Sequence, residues 1–133
     1  MNYTLYCDGG SRGNPGPSAL GAVLFYEDGT VAHEISTYLG IGTNNQAEYK
    51  ALLAGLTWAA EHDARQVHCF LDSELVVKQM RREYRIKDPI LAGIWNQVNT
   101  VVQQIGLVTF SHVPRAANKH ADRLVNQALD AVA

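Results

Sequence analysis

Four carboxylates are the residues of this 133-residue sequence whose type and placement could do chemistry: Asp8, Glu48, Asp72 and Asp122. Asp8 closes an alternating stretch, Leu5-Tyr6-Cys7-Asp8, with Leu5 and Cys7 on one face and Tyr6 and Asp8 on the other. Beyond it, Gly9, Gly10, Gly13, Pro15, Gly16 and Pro17 predict a loop whose backbone can approach a ligand closely. Asp72 closes a second apolar strand pattern, and Glu48 and Asp122 each fall in the predicted first turn of a helix. Taken singly, each acid has an ordinary role. Asn45-Gln46-Ala47-Glu48 has the spacing of a capping box with Asn45 as N-cap, while Asp72 and Asp122 complement helix N-termini. Capping does not require two strand ends and two helix starts to converge, so the four together predict a cluster. Clustered carboxylates repel unless a cation sits among them. Oxygen ligands without neighbouring cysteines favour Mg2+ or Mn2+ over zinc. Two such ions about 4 Å apart can activate a water on one side of a phosphodiester and stabilise the leaving oxygen on the other. The chemistry expected is phosphodiester hydrolysis.

The intervening elements must bring these acids together. Apolar alternation predicts strands over 3–8, 19–27, 31–39, 66–71 and 107–112, with Asp28-Gly29-Thr30 as a hairpin turn. Helical spacing runs from Asn45 to about His62 through Ala47, Ala51, Leu52, Gly55 and Trp58. A second helix is predicted over 74–82 behind Ser73. A third follows with Pro89 in its first turn and Gly106 beyond its end, and a fourth runs from a cap at or near Asn118 to Ala131. The order β-β-β-α-β-α-α-β-α predicts an α/β fold, a five-stranded mixed sheet with three antiparallel and two parallel strands and helices on both faces. If the first and fourth strands are parallel neighbours, Asp8 and Asp72 share the sheet edge at which open α/β sheets bind ligands.

The chain is long enough for one domain with its own core. Its net charge of -2 excludes a uniformly basic nucleic-acid-binding protein, so any such contact must be local. No apolar run is long enough to span a bilayer, and the expectation at Met1 is a first strand rather than a targeting leader. Cys7 and Cys69 have neither zinc nor disulfide spacing and read as buried free thiols, which sets the expectation of a reducing, cytoplasmic setting.

In order along the chain stand Tyr6-Cys7-Asp8-Gly9-Gly10-Ser11, Gly13-Asn14-Pro15-Gly16, Thr43-Asn44-Asn45-Gln46-Ala47-Glu48, Leu71-Asp72-Ser73 and His112-Val113-Pro114-Arg115, followed by Asn118, Ala121 and Asp122. This series resembles type 1 ribonuclease H, and in particular compact members similar to archaeal-type enzymes. The resemblance implies the ribonuclease H fold, a single catalytic domain over 1–133, and endonucleolytic cutting of the RNA strand of RNA–DNA hybrids to 3′-hydroxyl and 5′-phosphate ends. It implies that Asp8, Glu48, Asp72 and Asp122 hold two Mg2+ ions with substrate, Mn2+ being an alternative. By the same resemblance His112 assists proton transfer or product release and Arg115 takes a functional role beside the acids. Gly10, Asn14, Thr43, Asn44 and Asn45 contact the hybrid, Thr43 at a phosphate of the DNA strand, and Glu48 also reads the 2′-hydroxyl. Duplex RNA is a further candidate substrate, and a monomer is expected.

The sequence also departs from the family pattern. The stretch 82–88 is too short for the basic protrusion of well-known members, and Ile41 stands where some carry a cation. Lys78, Arg81, Arg82, Arg85 and Lys87 hold five of the eleven Lys and Arg residues; Lys78, Arg81 or Arg82, and Arg85 share one helical face if the second helix continues that far, and Arg81, Arg82 and Arg85 are expected to bind substrate. Two alternatives remain: a module that holds hybrids without cutting, and another nuclease of the same fold. An exonuclease would want a second acid two residues after Asp8, where this sequence has Gly10.

Overall fold

Strand β1 (Asn2–Ser11) is the axis of the sheet, antiparallel to β2 (Gly16–Tyr26) on one side and parallel to β4 (Gln66–Leu71) on the other. Strand β3 (Val31–Gly42) extends the antiparallel side and β5 (Leu107–His112) the parallel side, giving the order β3-β2-β1-β4-β5. The computed structural model describes all residues 1–133. Helices α1 (Asn44–Glu61), α2 (Glu74–Met80), α3 (Pro89–Ile105) and α4 (Lys119–Val132) complete the expected mixed α/β architecture.

The first three strands are longer than the sequence predicts, β3 running on through Gly42. Gly9 and Gly10 belong to β1, opposite Leu20 and Ala19 of β2, which leaves only 12–15 as the connecting loop. Gly9 is required there by packing: a Cβ would fall inside the backbone of α1 at Ala47 and Glu48. Pro17 is tolerated because it lies at the start of its strand, where its carbonyl accepts from the Arg12 amide at 2.8 Å.

Helix α1 lies against one face of the sheet with α3 beside it. Leu52, Leu56 and Tyr49 are fully buried over Leu5, Leu24 and Val67. Each leucine contributes roughly 1.5–3 kcal/mol by burial, so α1 is held against the sheet by its apolar side. Helix α4 covers the other face through a smaller group, Ala19 with Val125, Ala128 and Leu129. Its backbone comes close at Gly21, where a Cβ would run into Ala121 O and meet Leu124 Cβ and Val125 N at 2.9 Å. Cys7 and Cys69 are free and buried, as expected, and burial pushes both thiols up.

Two helix ends correct the sequence reading. Thr43, rather than Asn45, caps α1: its hydroxyl accepts from Gln46 N at 3.1 Å, and Gln46 Oε1 accepts from Thr43 N at 3.0 Å. Gln46 therefore closes the capping box, and Glu48, beyond the first turn, is not engaged in it. Helix α2 stops at Met80, and Arg82 takes a left-handed conformation with φ 64°. The basic residues around it therefore do not share one helical face.

Candidate active site

The parallel pairing of β1 and β4 places Cys7 opposite Leu71, so both strands deliver an aspartate, Asp8 and Asp72, to the same edge of the sheet. Glu48 approaches from α1 over Gly9. Asp8, Glu48 and Asp72 each offer a carboxylate oxygen such that all three lie within 4.8 Å of one another. Asp122, one turn into α4, lines the same cleft of about 440 Å³. It pairs with Arg115 Nη2 at 3.5 Å. The fold thus gathers all four sequence-predicted acids, three of them tightly.

Burial, then the neighbouring Asp72, raises the Asp8 carboxyl from its ordinary range to about 7. Glu48 is pushed well above the usual carboxylate range, chiefly by burial and then by Asp8 and Asp72. Its Oε2 is buried without a hydrogen-bond partner. An orphaned buried carboxylate oxygen is costly to leave unpaired, and divalent cations ligated by Asp8, Glu48, Asp72 and Asp122 would satisfy it. The donor set is all oxygen, which suits a hard cation of the Mg2+ or Mn2+ type. The residues present fit such ions.

Other candidates divide by position. Gly10 and Asn44 line the cleft. Asn44 Oδ1 accepts from Ser11 N at 2.8 Å and from Ser11 Oγ at 3.2 Å, and Asn14 Oδ1 accepts from Asn44 N at 3.0 Å. Both amide oxygens are therefore spoken for, which leaves the two NH2 groups as the free polar ends. Thr43 uses its hydroxyl oxygen as a cap and keeps a proton to donate. Asn45 is half-buried.

His112 is exposed at the end of β5 and lies outside the group lining the cleft. Arg81 donates from Nε to Phe110 O at 2.8 Å, whereas Arg82 stacks over Trp95 and borders a separate groove with Arg85. None of these three arginines lines the acidic cleft. Sequence reasoning missed two features here: Arg12, which crosses to Asp130 of α4 at 2.6 Å, and the close approach at Gly21. Neither has a local signal, because each depends on α4 lying across β1 and β2.

The sequence matches the family model described as reverse transcriptase-like over residues 6–128. It is 42% identical over 125 residues to ribonuclease HI of Halobacterium salinarum, covering 94% of this chain and 63% of that protein. The chain belongs to the ribonuclease HI family. The bifunctional protein Rv2228c of Mycobacterium tuberculosis is 42% identical over 134 residues, covering 100% of this chain and 37% of that protein. The chain thus spans less than two thirds of the length of either relative. The solved N-terminal RNase H domain of Rv2228c superimposes with a TM-score of 0.94 at 41% identity over 96% of this chain and 98% of that one. LC11-RNase H1 in complex with an RNA/DNA hybrid does so at 0.92 and 38% identity, covering 98% of each chain.

For this ribonuclease HI chain the raised carboxyls give a pH dependence with a definite sign. Asp8 binds its proton more tightly folded than unfolded, so its contribution to stability is full below about pH 4 and is lost as pH rises towards 7. Each unit of displacement corresponds to about 1.4 kcal/mol. Melting of the metal-free protein should therefore fall more steeply between pH 4 and 7 in wild type than in Asp8→Asn, and saturating Mg2+ at pH 7 should restore it. Parallel melting curves for the two proteins would contradict this.

Proposed function

We propose that this chain is a metal-dependent endoribonuclease that hydrolyses the RNA strand of RNA–DNA hybrids, leaving 3′-hydroxyl and 5′-phosphate ends. The observation that carries the reading is the meeting of Asp8, Glu48 and Asp72 within 4.8 Å at one sheet edge, with Asp122 in the same cleft. Asp8, Glu48, Asp72 and Asp122 would hold two divalent ions, which when bound supply charge stabilisation and nucleophile activation for phosphodiester hydrolysis. Arg115, which pairs with Asp122 at 3.5 Å, takes its functional role beside the acids. His112, exposed at the end of β5, serves proton transfer or product release from solvent. Support for the substrate comes from LC11-RNase H1, a 38% identical structure with an RNA/DNA hybrid bound.

The amides of Asn14 and Asn44 fit a hybrid without reading its sequence. With their oxygens engaged inside the protein, they present donors alone. The minor groove offers acceptors at every base pair, purine N3 and pyrimidine O2, so donor-only groups bind there whatever the sequence. Glu48, buried beside the metal ligands, would read the 2′-hydroxyl that marks the RNA strand.

A body-labelled hybrid tests this beside single-stranded RNA, duplex RNA and duplex DNA, with and without Mg2+ or Mn2+. Internal cuts in the RNA of the hybrid, dependent on metal, are expected. End-trimming, cutting of duplex DNA, or binding without cutting would overturn the reading. The cations at the α2–α3 corner give a separate prediction. Arg82 and Arg85 have no acidic partner, and Arg81 is held by Phe110 O. Replacing Arg82 and Arg85 with alanine should flatten the salt dependence of hybrid binding by about 0.7–0.9 for each phosphate that is no longer neutralised. An unchanged slope would remove this corner from the interface.

A further inference from the structure

Asn118 is 1% exposed and sits where three parts of the site meet. Its Nδ2 donates to Cys7 O at 2.9 Å, immediately before Asp8, and reaches Asp72 Oδ2 at 3.4 Å. Its backbone N donates to Arg115 O at 3.0 Å, and its carbonyl accepts from Asp122 N at 3.1 Å. One residue therefore touches β1 beside Asp8, the carboxylate that follows β4, the turn that carries Arg115, and the first turn of α4.

Placed just before a helix, an asparagine would ordinarily spend its side chain on the cap. This one makes no capping bond, and its Oδ1 is buried without a partner. Both features cost stability, since a capping bond is forgone and an acceptor goes unpaired. The orientation of the amide is fixed: the Cys7 carbonyl can only be met by a donor. An aspartate here would set a negative charge against Asp72, and an apolar residue would leave the Cys7 carbonyl unpaired.

We propose that Asn118 is a positioning residue: its amide ties Asp72 to β1 at Cys7, the residue before Asp8, while its backbone starts the turn bearing Asp122, and so it fixes the spacing of the metal-holding carboxylates. This rests on the reading of those acids as a divalent-cation site. Hydrogen bonds that orient ligand side chains typically govern metal affinity rather than fold.

The test is calorimetric titration of Mn2+ into the intact chain, comparing wild type with Asn118→Ala and Asn118→Asp, each checked by circular dichroism. The expected result is a roughly 10- to 100-fold weaker Mn2+ affinity in both variants with the folded spectrum kept. Folded variants with wild-type affinity and only a lowered melting temperature would show Asn118 to be structural and overturn the proposal. A wild type that binds no Mn2+ would overturn the metal reading as well, which separates the two failures. If both variants fail to fold, NMR of the 15N-labelled Asp72→Ala protein decides. The Asn118 side-chain amide resonances should move by more than those of Asn45, and an unmoved Asn118 amide would reject the tie to Asp72.

Discussion

Asp8→Asn and Asp72→Asn are each expected to lower hybrid cleavage by at least about 10³-fold, more than removal of a single hydrogen-bond donor usually costs an active site. Asparagine keeps the shape of the side chain and removes the charge that binds cations. The folded protein should not suffer for it. Asp8 is only 7% exposed, but its burial is among other carboxylates rather than in the apolar core, and burial has already driven its carboxyl up to about 7. Removing that charge relieves repulsion on Asp72 and Glu48. The metal-free Asp8→Asn protein should therefore melt at or above the wild-type temperature at pH 7 while its turnover is abolished. Near-normal cleavage by either variant would show that the acid is not a metal ligand.

Gly9→Ala is expected to have the largest effect on folding. The added Cβ would lie inside the α1 backbone at Ala47 and Glu48, which cannot swing aside as a side chain could. Helix α1 must lift, and with it the packing of Leu52 and Leu56 on Leu5. A cost of about 3 kcal/mol or more follows from overpacking against backbone, read as a drop in melting temperature of roughly 10 °C or more. Glu48 moves with the helix, so any folded fraction should also bind Mn2+ more weakly. Gly21→Ala presses on the backbone of α4 instead, at Ala121 O first and then at Leu124 Cβ and Val125 N. Because α4 is held by a smaller apolar group, it should shift rather than detach, and the damage should fall more on activity through Asp122 than on stability. An alanine variant at Gly9 with wild-type melting would contradict the packing of α1.

The element order, the strand pairing and the identity of the four acids are legible in the sequence because each rests on a local pattern. Alternation marks β1 and β4, helical spacing marks α1, and a parallel pairing followed on both strands by aspartate puts both acids at one edge. What is not legible depends on close approach in space. Gly9 and Gly10 read as loop because glycine usually breaks a strand, whereas here β1 continues and Gly9 makes room for a helix. The capping box reads too late in the sequence, at Asn45 and Glu48, since Asn and Thr are both good caps; Gln46 settles it in favour of Thr43. The basic stripe fails for a similar reason: nothing in 80–82 announces that Arg82 turns left-handed and ends α2. Asn118 reads as an ordinary helix start, because its bonds to Cys7 and Asp72 lie 111 and 46 residues away in sequence.

The most direct measurement is an anomalous-difference map of wild-type protein crystallised with Mn2+ and a hybrid carrying a non-hydrolysable linkage. Manganese peaks roughly 2.0–2.3 Å from oxygens of Asp8, Glu48 and Asp72, with a second peak reached by Asp122 at the bound phosphate, are the expected result. An ordered hybrid with no manganese in the cleft between these four side chains would contradict it.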